Sequence, residues 1–248
     1  MPSPSFLADR RRFLNTLSLA GLAAFAPRGA FAQRLSETAE TTEGPFYPDK
    51  LPLDTDNDLL ILNDGLTPAV GEITHLTGHV FTSSGLPIRN AFVEIWQTDA
   101  DGSYVHTGGR QAAKPYDANF QGYGRFLSDA KGQYYFRTIK PVEYTLIGMH
   151  RCPHIHVAVS QNGRRIFTSQ FLIKGHPANV GDGVTRSLSP QALQTILVDF
   201  KALPGSKLGE LSANVDIVLG KTFNELQPSS KDSLKGTAKG IGMSRRRG

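Results

Sequence analysis

Two histidines, His154 and His156, flank Ile155 in the stretch RCPHIHVAV, Arg151 to Val159. On an extended strand residues i and i+2 share a face with their Cα atoms about 6–7 Å apart, so two imidazoles placed this way can converge on one ion. The pair alone could serve zinc, iron or no metal. Ile155, Val157 and Val159 alternate with the histidines and predict a buried opposite face. Two tyrosines are further ligand candidates: Tyr144, ten residues before His154, and Tyr104, at the end of the turn-like DADGSY. Either could equally be a half-buried aromatic with a wet hydroxyl.

These residues need a scaffold, and from about Glu72 onward the chain reads as short apolar-alternating runs separated by turn residues. Strands are predicted over Glu72–Phe81, Ala91–Gln97, Tyr134–Ile139, His154–Ser160, Arg165–Ile173 and Ala213–Gly220. The Asn162-Gly163 pair between two of them is a hairpin signal. One helix is predicted over Ser189–Val198, with Pro190 in its first turn. The expected fold is mainly β, an antiparallel β-sandwich with long loops and at most one or two short helices.

Residues 1–32 stand apart. A basic start, an apolar middle from Leu14 to Ala26 and small residues before a cut after Ala32 read as a signal peptide. Asp9-Arg10-Arg11-Arg12-Phe13-Leu14-Asn15 resembles a twin-arginine export signal, implying a periplasmic or secreted, already folded protein with no stable membrane insertion after cleavage. The 248-residue chain carries 27 basic and 22 acidic residues. Residues 1–32 hold four Arg and one Asp, and a flexible basic tail at 227–248 holds six basic residues and one acidic. The expected single domain, 33–226, is thus left with 17 basic against 20 acidic residues, a poor match for nucleic acid. Cys152 is the only cysteine, so no intramolecular disulfide forms, and its predicted role is that of a small buried strand residue.

Six ordered segments carry a family resemblance: TEGPFYP (Thr42 to Pro48), GLPIRNAFVEIWQTDADGSY (Gly85 to Tyr104), DANFQGYGRF (Asp117 to Phe126), GQYYFRTIKPVEY (Gly132 to Tyr144), RCPHIH (Arg151 to His156) and TSQFLIKGHP (Thr168 to Pro177). Together they resemble the intradiol ring-cleaving catechol dioxygenases, most of all the protocatechuate 3,4-dioxygenase branch. The resemblance implies a non-haem Fe(III) ion held by Tyr104, Tyr144, His154 and His156. Two hard phenolate donors favour Fe(III) over Fe(II). It also implies cleavage of a catecholic ring between its two hydroxylated carbons with O2, giving a muconate-type diacid. Tyr144 would be the axial phenolate that leaves as substrate binds. Arg151 would be the cation that stabilises charge developing on the ring. Gln170 would line the pocket, and Gly44 and Pro45 would pack against the substrate.

There are departures. The Tyr144–His154 loop is shorter than in protocatechuate enzymes, and Thr145-Leu146 replaces their proline and tryptophan, leaving the ring substituents open. The catechol 1,2-dioxygenase branch has a helical N-terminal region for which residues before Thr42 leave no room, although a homo-oligomer of another kind stays possible. GLPIRNAFVEIW also resembles transthyretin-like exported modules without catalytic function, and a zinc hydrolase built on the two strand histidines is a further alternative. His75 and His79 could share a strand face; His106 and His150 could support the site; His176 is expected in a loop.

Overall fold

The computed structural model describes residues 34–62, 65 and 67–220. The predicted export signal within 1–32 and the predicted tail at 227–248 lie outside the described residues. Strand β1 (Ile73–Thr82) turns Leu76 and Val80 inward and leaves the alternate positions half-buried, the period-2 pattern of a strand with one covered face. It pairs antiparallel with β4 (Gln133–Ile139), from Ile73 opposite Ile139 to His79 opposite Gln133.

The expected final strand is interrupted. Residues Leu211–Asn214 and Ile217–Leu219 each run parallel to β1, with a break at Val215 and Asp216. The break has an identifiable cause at Gly78, where a Cβ would lie 1.8 Å from the Val215 carbonyl oxygen. That carbonyl accepts a 2.6 Å bond from the Tyr134 hydroxyl, the Val215 N–H donates to Thr77 O, and the Asp216 carboxylate accepts from the His79 N–H. Gly78→Ala should therefore cost about 1–3 kcal/mol, the usual range for overpacking. Urea unfolding should show a lower midpoint, while the distant residues considered below keep their geometry.

The second sheet runs β3-β2-β7-β8-β9, formed by β2 (Phe92–Trp96), β3 (Tyr123–Leu127), β7 (His154–Gln161), β8 (Arg164–Ile173) and β9 (Leu197–Val198). The β7–β8 turn has Asn162 and Gly163 both at positive φ, the type I′ hairpin that the dipeptide predicts. A β-bulge separates Val159 from Ser160. Inner faces of the two sheets meet in one core that includes Leu76, Val80, Val93, Ile95, Phe136, Ile155, Val157, Val159 and Phe171. The remaining strands are β5 (Tyr144–Leu146) and β6 (Met149–Arg151), a two-stranded hairpin, then β10 (Phe200–Ala202), β11 (Leu211–Asn214) and β12 (Ile217–Leu219).

The architecture is mainly β, as expected, and mainly antiparallel, but β11 and β12 on β1 and β9 on β8 are parallel pairs. Helices are short: α1 (Gly183–Ser187) and α2 (Pro190–Gln194). The predicted helix Ser189–Val198 is corrected to α2, capped by Ser189 with Pro190 in its first turn. It stops because the next residues turn their backbone to β8: Leu172 N–H donates to Ile196 O, and Leu197–Val198 pair with Leu172–Ile173. No helix among the described residues is long and apolar enough to cross a membrane.

Candidate active site

The outer face of the second sheet carries the site. Across strands β3, β2, β7 and β8, Tyr123, Trp96, His156 and Gln170 stand in one register row, with His154 two residues along β7 beside Leu172. The alternation predicted for β7 is present, with Ile155, Val157 and Val159 in the core. The histidine face is equally enclosed, His154 and His156 each being 2% exposed.

Tyr104 reaches them from the loop after β2, and Tyr144 from the first residue of β5. The two loops approach closely at Gly102, which has φ +82° and whose Cβ would strike the Tyr144 Cβ at 2.9 Å. Only glycine combines that conformation with that approach. The Asp99 carboxylate shapes the same turn by accepting from the Asp101 and Ser103 N–H groups.

The four polar atoms form a cluster. Tyr104 Oη lies 3.0 Å from Tyr144 Oη, 3.2 Å from His154 Nε2 and 3.0 Å from His156 Nε2. Tyr144 Oη and His154 Nε2 are 3.4 Å apart, and the two imidazole Nε2 atoms 3.2 Å. His154 Nδ1 donates to the Cys152 carbonyl at 2.6 Å, so its Nε2 presents a lone pair. Neutral side chains then offer at most three protons, one from each phenol and one from His156, to these five contacts. At least two contacts would oppose lone pair to lone pair.

A shared cation removes that conflict. Donor atoms 3.0–3.4 Å from one another are close enough for all four to hold a single ion. Protonation cannot take the cation's place: burial, with the charge of Arg151 adding to it, pushes His154 down to about 3. His156 is held well below the usual imidazole range by burial, His154 and Arg151. Burial raises both phenols, and Tyr144 raises Tyr104 further. A multivalent ion would reverse this and favour phenolate. Two imidazoles and two phenols fit a ferric ion by donor type.

Arg151 stands beside the cluster at the end of β6. Its Nε donates to Asp182 at 2.8 Å and its Nη2 to Gln170 Oε1 at 2.7 Å, while Gln170 Nε2 donates to Thr42 O. Gly44 lies against the second histidine, where an added Cβ would be 3.2 Å from His156 Cε1, and Pro45 follows exposed in the turn. The structure thus gathers Tyr104, Tyr144, His154, His156, Arg151, Gln170 and Gly44 within one region.

A profile of the dioxygenase family, described simply as dioxygenase, matches residues 42–219, from the segment bearing Gly44 through the last strand. The chain belongs to the dioxygenase family. It is 36% identical over 194 residues to the protocatechuate 3,4-dioxygenase beta chain of Burkholderia cepacia, covering 75% of this chain and 80% of that one. It is 33% identical over 154 residues to catechol 1,2-dioxygenase 2 of Acinetobacter lwoffii, 56% of this chain and 52% of that one. The chain therefore spans about half the length of that second relative. The fold is shared with the intradiol ring-cleavage dioxygenase of Tetranychus urticae, at a TM-score of 0.58 and 20% identity over 79% of this chain and 98% of the other. These relationships make the protein an oxidoreductase of the intradiol ring-cleaving class.

Several residues of this dioxygenase site escaped the sequence reading. Trp96 stacks on His156 with ring centroids 4.9 Å apart and planes 6° from parallel, and Tyr47 meets Trp96 edge-on. One register step away, the buried Glu94 accepts from the hydroxyls of Tyr47 and Tyr123 and from Arg165, which also pairs with Glu43. The signal was available: Glu94 and Trp96 alternate with the core residues Val93 and Ile95, so they share the histidine face. The β5–β6 hairpin was missed because Ile147-Gly148 takes positive φ at both residues, a role that Asn-Gly ordinarily announces.

The other histidines do not join the cluster. His75 pairs with Tyr135 and Glu210, and His79 with Asp216. His106 caps a short 3-10 turn, and its ring lies 5.9 Å from that of Phe46, which packs on Tyr104. His150 and His176 both contact Glu143, the residue before Tyr144, and His176 lies in the loop after β8, as expected, where it caps a 3-10 helix. Cys152 is buried as expected, its thiol pushed up to about 12 chiefly by burial.

Proposed function

We propose that this dioxygenase holds Fe(III) through Tyr104, Tyr144, His154 and His156, and cleaves a catecholic ring between its hydroxylated carbons. The observation that carries the reading is the buried cluster of four donors with too few protons for their contacts. The iron, when bound, supplies the Lewis acidity that makes an electron-rich catecholate reactive toward O2. Catechol and O2 combine with both oxygen atoms retained in a muconate-type diacid, so no external reductant is required.

The chain's own residues handle protons and charge. Tyr144, on the short hairpin, is the tyrosine nearest Arg151 in sequence, and as the phenolate that a bound ion favours it would take up the proton that a catechol hydroxyl gives up. Arg151, held by Asp182 and Gln170, supplies a fixed positive charge for the substrate ring. Tyr104 and the histidines, enclosed by Trp96, Phe46 and Gly44, exclude water from the opposite side. Similarity to the protocatechuate enzyme supports a catecholic substrate, and Thr145-Leu146 leaves its ring substituents open. The twin-arginine-like start supports export of the folded, loaded protein to the periplasm or beyond.

Iron-loaded protein should be red-brown from phenolate-to-iron charge transfer, should shift colour with a catechol, and should consume one O2 per ring opened. A colourless iron-loaded protein would exclude the tyrosine ligation. Absence of bound metal, with no oxygen uptake on catechol, protocatechuate, hydroxyquinol or larger plant-derived catechols, would instead favour a non-catalytic transthyretin-like binding module.

A further inference from the structure

We propose that Asp182 is a positioning residue for ring cleavage, fixing the guanidinium of Arg151 in the orientation that meets charge developing on the substrate; this rests on the function proposed above. Asp182 lies 31 residues beyond Arg151, and no motif in the sequence singles it out. Its side chain is completely buried, and both carboxylate oxygens are committed. Oδ2 accepts from Arg151 Nε at 2.8 Å and from the Cys152 N–H at 3.1 Å, and Oδ1 accepts from the Val184 N–H at 2.8 Å. Burial alone would raise this carboxyl, but Arg151 and the two backbone N–H groups outweigh it and hold it down to about 2. It is an anion at neutral pH.

The arrangement constrains more than charge. A planar guanidinium held at Nε by one partner and at Nη2 by Gln170 has no freedom left about its long axis. Its Nη1 has no hydrogen-bond partner among the described residues and is free to donate to substrate. Gln170 is fixed in turn by Thr42 O, and Asp182 by the start of α1. One carboxylate therefore ties together the first turn of α1, the Arg151-Cys152 corner leading into the histidine strand, and the orientation of the cation.

The test is a double-mutant cycle on iron-loaded, full-length protein: wild type, Asp182→Asn, Arg151→Gln and the double variant. It reads kcat, KM, the binding of a slowly reacting nitrocatechol, and the resting charge-transfer band. Asp182→Asn should lower kcat and kcat/KM together by about 10- to 100-fold, the usual effect of removing a residue that orients a functional group. Nitrocatechol affinity, iron content and the resting band should change little, and Asp182→Glu should recover part of the rate. In the Arg151→Gln background the second substitution should cost under about twofold if Asp182 acts through Arg151. Losses that multiply, or a shifted resting band in Asp182→Asn, would overturn the inference in favour of a general structural role. If Asp182→Asn does not fold, Asp182→Glu takes its place in the same cycle with the same two outcomes. A wild type that cleaves no catechol overturns the functional reading itself, and is separable because it appears before any variant is compared.

Discussion

Tyr104→Phe should abolish ring cleavage and bleach most of the visible absorption of the iron-loaded protein. Among the four clustered donors, Tyr104 and His154 each lie within hydrogen-bond distance of all the others, Tyr104 at the shorter range of 3.0–3.2 Å. Removing its oxygen leaves three donors, while the ring stays packed on Phe46, 5.1 Å between centroids, and its Cβ stays close to Gly109. The fold should tolerate the change, because the ring remains and no backbone hydrogen bond involves the hydroxyl. The activity loss should exceed the roughly 10- to 100-fold that follows loss of a group merely bracing a ligand. Stopped-flow oxygen uptake, iron analysis and the visible spectrum of the same preparation test this. Wild-type absorption and turnover in the variant would remove Tyr104 from the metal set.

Trp96→Ala should produce the largest loss of stability. The indole is completely buried on β2, an interior strand of the second sheet, with Tyr123 and His156 as cross-strand neighbours. Truncating a buried aromatic to alanine costs about 3–5 kcal/mol through lost burial and the cavity left behind. For a domain of this size the melting temperature should drop by roughly 6–20 °C. The cavity would open between His156 and the Tyr47–Glu94–Arg165 cluster, exposing a buried carboxylate to an unfilled space and freeing the imidazole to rotate. Calorimetry on metal-free protein isolates the packing loss, and iron titration then measures the looser imidazole. A change below about 1 kcal/mol would show that the surrounding rings close over the gap.

The site was legible wherever one-dimensional periodicity carried it. His154-Ile155-His156 declares its geometry because a strand's two faces alternate strictly, and Arg151 and Gln170 came with the resemblance. Asp182, Trp96 and Glu94 were hidden for different reasons. Asp182 is joined to Arg151 only by tertiary folding, across 31 residues that include a hairpin and a 3-10 turn. Trp96 and Glu94 look like ordinary strand residues until their face is known to be covered. The same blindness to neighbours accounts for the overextended helix at Ser189–Val198, where residues with acceptable helical spacing were recruited as a strand by the backbone of β8. The break at Val215-Asp216 likewise depends on Gly78, more than 130 residues earlier, which no local pattern reports.

The interleaving of core and donor residues along β7 has a consequence for how the chain reaches its native state. A slip of one residue against β2 and β8 would turn Ile155 and Val157 toward the donor pocket and drive His154 and His156 between the sheets. Such a chain would have neither an apolar core nor a place for a cation. The bulge between Val159 and Ser160 marks the single point where the β7–β8 register shifts, and it lies beyond both histidines. On the proposed iron site, metal binding would thus proofread strand alignment: only correctly threaded molecules would acquire the metal, and its release would report the first loosening of that alignment.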